Sequence, residues 1–333
     1  MNILLTGGTG YIGSHTAVVL AEAGHNVILY DSLCNSQRDV VIRLTKITGK
    51  TMTLIEGDVR DTQLLSTTLK QKNVDAVIHF AGLKAVGDSV TNPIDYFSTN
   101  VQGSLSLLQA MKQNDIKKLV FSSSATVYGT PKHLPYDEDH PTSSINPYGR
   151  TKLHVEEMLS DLSDSDPQWS IAVLRYFNPV GAHESAMIGE LPTGHPNNLM
   201  PYILQVASGR LTELNIFGND YPTRDGTGER DYIHVMDLAE GHLSALKFIG
   251  NQTGWHAFNL GTGNSITVLE LVHAFESVTH QKIPLKMSSR RLGDLPAYYA
   301  EAAKAKSLLG WKAKRSLADM CLSAWCWEEA RGL

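Results

Sequence analysis

The beginning of the chain constrains its fold most. An apolar strand, Asn2 to Thr6, runs directly into Gly7-Gly8-Thr9-Gly10-Tyr11-Ile12-Gly13, and a helical pattern follows. A turn this tight, a backbone open to close approach and a helix packed onto its strand each favour a residue without Cβ. The helix N-terminus then offers free N–H groups and a positive dipole end to an anion. Taken alone, such glycine spacing also fits an ordinary turn. Asp31, however, ends the second apolar run, where an acid accepts from ribose hydroxyls and would repel a 2′-phosphate. The pattern predicts a dinucleotide held at Gly7, Gly10 and Gly13, and that dinucleotide is NAD rather than NADP. Arg38 is near, but an NADP site would put an Arg in place of the acid. Asp58-Val59, ending the third run, suits an adenine contact, and Asp58 equally suits a turn cap.

The first half alternates short apolar runs with helical patterns. The predicted strands are Asn2 to Thr6, Val27 to Asp31, Met52 to Asp58, Ala76 to Gly82, Leu119 to Ser124 and Ile171 to Phe177. They are continuous rather than alternating, as in strands buried on both faces of a parallel sheet. Gly13 to Ala23, closed by Gly24, and Val101 to Asn114 read as helices between them. This is an α/β chain with a doubly wound parallel Rossmann sheet. After Phe177 the regularity fails. Residues 1–177, with returns near 233–262, read as the NAD-binding domain. Residues 178–333 read as a smaller, loop-rich substrate lobe interleaved with it. Helices are expected near Met200 to Ser208, Val235 to Phe248, Val268 to Thr279 and Ser316 to Ala330, and Phe258 to Gly261 as a return to the sheet. Trp311, Trp325 and Trp327 are expected in the core.

A formal charge of −5 with no basic cluster argues against a nucleic-acid or anionic-membrane surface. Cys34, Cys321 and Cys326 form no CxxC pair and read as reduced, partly buried thiols. Asn251-Gln252-Thr253 matches a glycosylation sequon, but no signal-like or membrane-length segment is seen, so a cytoplasmic location is expected. The histidines match no metal spacing, and no metal is expected.

Ser122-Ser123-Ser124 stands at the carboxyl end of the fifth strand, where α/β sheets place their ligands. Tyr148-Gly149-Arg150-Thr151-Lys152 leads into a helical apolar spacing, so Tyr148 and Lys152 lie one turn apart on one face. A neighbouring ammonium and a positive nicotinamide would favour the phenolate, and Ser124 could share a short hydrogen bond with the reacting hydroxyl. On its own YxxxK also fits an exposed Tyr with a solvated Lys.

GxxGxxG, SSSATVYG and YxxxK resemble the extended short-chain dehydrogenase/reductase superfamily. The segments NILLTGGTGYIGSH (from Asn2), HFAGLKAVG (from His79), RYFNPVGAH (from Arg175), NNLMPY (from Asn197) and GERDYIHVMD (from Gly228) narrow it to the UDP-glucose 4-epimerase family, over essentially the whole chain. That resemblance implies interconversion of UDP-galactose and UDP-glucose in galactose metabolism. The sugar is oxidised at C4 on a tightly bound NAD, the 4-keto sugar rotates, and it is reduced on its other face. It implies catalytic roles for Tyr148, Lys152 and Ser124, and a homodimer. Tyr11, Ile12, Asp31, Asn35, Asp58, Val59, Phe80, Lys84 and Phe177 match cofactor contacts. Thr99 stands where the family has a cofactor-contacting Asn, with Asn100 beside it. Asn178, Asn198, Phe217, Arg230, Arg291, Asp294 and Tyr298 match the UDP-sugar site. Arg230 and Arg291 offer planar forks to a pyrophosphate, Asp294 an acceptor for ribose hydroxyls and Phe217 an apolar face for uracil. Related 4,6-dehydratases carry Asp-Glu beside the catalytic Ser/Thr; here Ala125-Thr126 stands there. A catalytically dead NAD-sensing relative would be expected to lack the Tyr or Lys. The loop 184–195 receives no role.

Overall fold

The computed structural model describes residues 1–332 apart from 193–195, 197 and 292. The last three residues of the loop 184–195 therefore lie outside the described residues. Seven strands form one parallel sheet: β1 (Asn2–Thr6), β2 (Asn26–Asp31), β3 (Thr53–Glu56), β4 (Ala76–His79), β5 (Lys118–Ser124), β6 (Ser170–Tyr176) and a last strand, Gly254–Leu260. Their spatial order is Gly254–Leu260, β6, β5, β4, β1, β2, β3. The order reverses between β1 and β4, which opens a crevice above their carboxyl ends. Every residue of β4 and β6 is buried, which explains runs too apolar to alternate. Ile3, Leu5 and Leu29 face one apolar layer and Leu4, Ile28 and Tyr30 the other.

The departures from the sequence reading are local. The run from Met52 to Asp58 is a strand only over Thr53–Glu56, because β2 offers it partners only from Ile28 to Asp31. The fourth strand stops at His79, because Phe80 N donates to Thr6 O (2.9 Å) and the chain turns into the crevice. The last strand starts at Gly254, four residues before the apolar run, since it pairs with β6 along its whole length. The glycine-turn helix, α1 (Tyr11–Glu22), starts two residues earlier than expected, and Gly24 takes φ +87° beyond its end. The helix expected from Val101 begins at Gly103, after a π-helical turn, Phe97–Gln102. Cys34 is exposed rather than partly buried, since it lies on the surface loop after β2; Cys321 is buried and Cys326 half-buried. Trp311 and Trp327 are buried and Trp325 packs edge-on to Phe275.

Beyond β6, apart from Gly254–Leu260, the described strands form small separate sheets of two or three strands. Asn178–Val180 pairs with Tyr232–His234, Glu229–Arg230 with Ile266–Thr267 and Ala297–Tyr298, and Leu214–Phe217 with Leu285–Ser288. Helices Leu199–Ala207, Val268–Thr279 and Leu317–Gly332 share an apolar cluster with them. Among the described residues, no helix is long and apolar enough to cross a membrane.

A buried ion pair ties the helix Pro147–Ser165 to the sheet. Arg175 Nη2 donates to Glu156 Oε2 (2.7 Å), with the side chains 5% and 3% exposed. Ser123 Oγ also donates to Glu156, and Arg175 Nη1 donates to Tyr128 Oη (3.1 Å). Removing one partner strands the other charge. Glu156→Ala should therefore cost about 3–5 kcal/mol in denaturant unfolding; a loss below about 1 kcal/mol would contradict this network.

Burial also holds several histidines neutral. It lowers His15 and His79 to about 3, and His234 and His242 to about 4. Each depressed value means that the unfolded chain takes up the proton first as pH falls through about 6.5. Their contribution is present above that pH and is lost toward pH 4, so the unfolding midpoint should fall across this window. A midpoint that rises there would contradict it.

Candidate active site

The crevice is lined by residues at the carboxyl ends of the sheet strands. After β1, Gly7 adopts φ +68°, and a Cβ there would lie 2.8 Å from Ala81 N. At Gly13 a Cβ would lie 2.3 Å from Gly7 O, so the helix packs on the turn only without a side chain. Gly10 meets nothing closer than 3.2 Å, which leaves its surface open to a ligand. The N-terminus of α1 has no side-chain cap and no acid in its first turn. These features fit the diphosphate of a dinucleotide. Tyr11 Oη donates to Gly181 O (2.6 Å) and so ties the turn to the segment after β6.

After β2, Asp31 organises the neighbouring loop. It accepts from Thr9 N (3.0 Å), Leu33 N (2.9 Å) and Ser36 Oγ (3.1 Å) and is 6% exposed. An anionic 2′-phosphate would meet this carboxylate, and Arg38, the one nearby cation considered above, is paired with Glu56. Asn35 lies exposed beyond it. Asp58 serves its own turn: it accepts from Arg60 N (2.8 Å) and Nε (2.9 Å), and Arg60 holds its carboxyl below the usual range. Val59 is buried against Gly103. Phe80 packs on His242 at 4.8 Å.

The candidate catalytic trio converges at the end of β5. Ser124 caps a 3-10 turn, Ala125–Val127, and its Oγ accepts from Thr126 N (3.2 Å) and Oγ1 (3.0 Å). Asn146 caps the helix Pro147–Ser165, accepting from Gly149 N (2.8 Å), with Pro147 in its first turn. That cap fixes the start of the helix, and Tyr148 and Lys152 follow one turn apart. Lys152 is buried and its Nζ donates to Ser122 O (2.7 Å). Burial lowers it to about 8, opposed by Glu156. The expected depression of Tyr148 is not what the protein alone produces. Burial pushes its phenol up to about 12, Ser124 counters, and Tyr298 adds to the rise. The lysine is turned onto a backbone carbonyl, so desolvation dominates.

Asn100, the neighbour of Thr99, is built into this site. It is buried; its Oδ1 accepts from Leu83 N (2.7 Å), and its Nδ2 donates to Leu83 O (3.0 Å) and Thr151 Oγ1 (3.0 Å). It thus ties the residue before Lys84 to the residue before Lys152. A π-helical turn, Phe97–Gln102, carries this buried side chain.

Phe177 and Asn178 leave β6 toward the other wall. Tyr298 Oη donates to Asn178 Oδ1 (3.0 Å), and the Tyr298 ring lies 6.2 Å from Phe177. The Arg230 guanidinium lies 4.6 Å over Tyr298 and, among the described residues, donates to backbone at Glu229 O (2.8 Å) and Leu295 O (2.9 Å). Its remaining N–H groups suit an anion. Further out, Arg291 lies 4.9 Å over the half-exposed Phe217 ring and its Nε donates to Asp294 Oδ2 (2.9 Å). Asn198 Nδ2 donates to Glu190 Oε1 (3.2 Å). Sequence reasoning missed Asp231, whose buried carboxylate accepts from Thr262 N (2.8 Å), Gly263 N (2.9 Å) and Ala300 N (3.1 Å), although it adjoins Arg230. Among the described residues, no cluster of three His, Cys, Asp or Glu side chains could hold a metal ion.

A switch-point glycine cradle beside a Tyr-Lys-Ser trio defines the extended short-chain dehydrogenase/reductase class. The family model described as GDP-mannose 4,6 dehydratase matches residues 4–323. UDP-glucose 4-epimerase of Bacillus subtilis (strain 168) is 52% identical over 330 residues, 99% of this chain and 97% of that protein. That of Neisseria gonorrhoeae is 53% identical over 328 residues, 98% and 97% of the two chains. The solved Stenotrophomonas maltophila UDP-glucose 4-epimerase, with bound NAD and formylated UDP-arabinopyranose, superposes with a TM-score of 0.98 at 51% identity, covering 100% and 99% of the two chains. The Bifidobacterium longum enzyme, with NAD+ and UDP, gives 0.96 at 48% identity, with the same coverage. The chain belongs to the UDP-glucose 4-epimerase family.

Proposed function

We propose that the chain interconverts UDP-galactose and UDP-glucose, with Tyr148, Ser124 and Lys152 as its catalytic residues. One juxtaposition carries this reading: the trio at the end of β5 lies between the glycine cradle and the Asn178–Tyr298–Arg230 wall. The two relatives described above, solved with NAD, share this fold over 99% of their length. NAD, when bound, supplies the acceptor and donor of hydride at the sugar C4 and a positive charge that favours phenolate.

Gly7, Gly10, Tyr11, Ile12 and Gly13 hold its diphosphate, and Asp31 and Asn35 hold its adenosine ribose. Asp58, Val59, Phe80, Lys84, Thr99 and Phe177 complete the surround. Tyr148 takes the proton from the 4-hydroxyl and later returns it. Ser124 shares a hydrogen bond with that oxygen, its own acceptor side being engaged by Thr126. Lys152, one helical turn from Tyr148, supplies positive charge that favours the phenolate. Asn178, Asn198, Arg230 and Arg291 hold the nucleotide diphosphate, while Phe217 and Asp294 hold the uridine. Residues 1–177 with the returns near 233–262 form the cofactor domain in this reading, and 178–333 the substrate lobe.

Elimination is disfavoured, because Ala125 is buried and apolar and Thr126 spends its hydroxyl on Ser124. The 4-keto sugar is then reduced rather than dehydrated. Purified protein given UDP-galactose without added nucleotide should approach the same epimer mixture as protein given UDP-glucose. A 4-keto-6-deoxy product, or no conversion, would overturn the reading.

Tyr298 sets substrate width. Asn178 and Arg230 pin it in place, so an N-acetyl group at the sugar 2-position meets a ring that cannot turn aside. UDP-N-acetylgalactosamine should show kcat/KM about 10–200-fold below UDP-galactose, and Tyr298→Ala should narrow that gap. Comparable values in the unaltered protein would contradict this.

We also infer a homodimer in the cytoplasm. The helices Val86–Thr91, Pro93–Tyr96 and Gly103–Gln113 leave Val90, Ile94 and Leu105 at 62%, 81% and 46% exposure, an apolar surface suited to a second copy. Three free cysteines suit a reducing compartment.

A further inference from the structure

We propose that Glu190 is a positioning residue that joins the cofactor side of the site to the nucleotide-sugar side. Its Oε1 accepts from Lys84 Nζ (2.8 Å) and from Asn198 Nδ2 (3.2 Å). Lys84 follows β4 on the cofactor side, and its Nζ lies 5.9 Å over the Tyr11 ring. Asn198 begins the helix Leu199–Ala207 on the other. One carboxylate oxygen therefore fixes a group from each half. The proposal rests on the roles given above to Lys84 and Asn198.

A carboxylate 13% exposed beside a site for two diphosphates is electrostatically unfavourable unless it holds other groups in place. Its backbone is anchored accordingly. Trp327 Nε1 donates to Glu190 O (3.1 Å), and a Cβ on Gly189 would meet the Trp327 ring at 2.5 Å. Ala182 bridges Gly189, and His183 N donates to Ile188 O (3.2 Å), closing the segment into a hairpin. The C-terminal helix thus sets where the carboxylate stands. Glu190 reaches Lys84 and Asn198 from this fixed base and sets their separation. UDP binding then draws on an Asn198 already oriented, with its orientation tied to Lys84 on the NAD side.

The test is a double-mutant cycle on UDP binding by calorimetry, with the NAD retained after gel filtration measured in parallel. Glu190→Ala and Asn198→Ala should each weaken UDP by about tenfold, the worth of one hydrogen bond to a charged group. The double variant should be no weaker than the weaker single. Glu190→Gln, which keeps an acceptor for Asn198, should stay within about threefold of the parent. Glu190→Asp, charged but one methylene short of both partners, should match the alanine loss and keeps the test open should Glu190→Ala not fold. Additive losses, or parental affinity in Glu190→Ala or Glu190→Asp, would overturn the proposal. Failure of the unaltered protein to bind UDP would instead overturn the function on which it rests.

Discussion

Tyr148→Phe should lower kcat for UDP-galactose by about 10²–10⁴-fold while leaving the fold and the retained nucleotide intact. The change removes one oxygen and keeps the ring that fills the pocket, so packing loses little. What disappears is the group proposed to take the 4-hydroxyl proton. The loss should fall on kcat, with KM within a few-fold, because the diphosphate contacts are made by other residues. Burial lifts this phenol to about 12 in the protein by itself, so it is poised only when positive charge is brought to the site. Stopped assays of both epimers, with the nucleotide content measured on the same sample, check this. Turnover near that of the parent protein would remove Tyr148 from the mechanism.

Gly13→Val should abolish cofactor retention, and epimerisation should fall with it by at least about 100-fold. Even the first carbon of the new side chain would lie 2.3 Å from Gly7 O and 2.9 Å from Gly8 Cα. Both are backbone atoms, so α1 must move off the turn or the turn must open. Either change displaces the N–H groups proposed to meet the diphosphate. The reading is the nucleotide released per chain after denaturation. Full NAD content in the variant would show that the cradle is not the cofactor site.

Legibility in the sequence followed how local the physical demand was. The glycine cradle was readable because a clash at one position allows only one residue type. Tyr148 and Lys152 were readable as a pair because helical period alone puts them on one face. The sheet was readable strand by strand from apolar runs, but strand ends such as His79 and Gly254 depend on a neighbour's hydrogen bonds, which no single run records. The π turn at Phe97–Gln102 left no signature in the sequence, and the bonds of the Asn100 it carries, to Leu83 and Thr151, span residues far apart in the chain. Glu190 was hidden for the same reason: its partners lie 106 and 8 residues away, and its seat depends on Trp327. Asp231 stood inside a quoted motif, but only its burial and its donors reveal it as the joint between the last sheet strand and the Tyr298 segment.

The central claim is that the site keeps its NAD through each cycle rather than exchanging it. Protein purified without added nucleotide should be denatured with acid or heat and the released nucleotides quantified. The account expects close to one NAD(H) per chain and no NADP, from protein that converts UDP-galactose with none supplied. An empty protein that turns over only when NAD is added, or one that releases NADP, would contradict it.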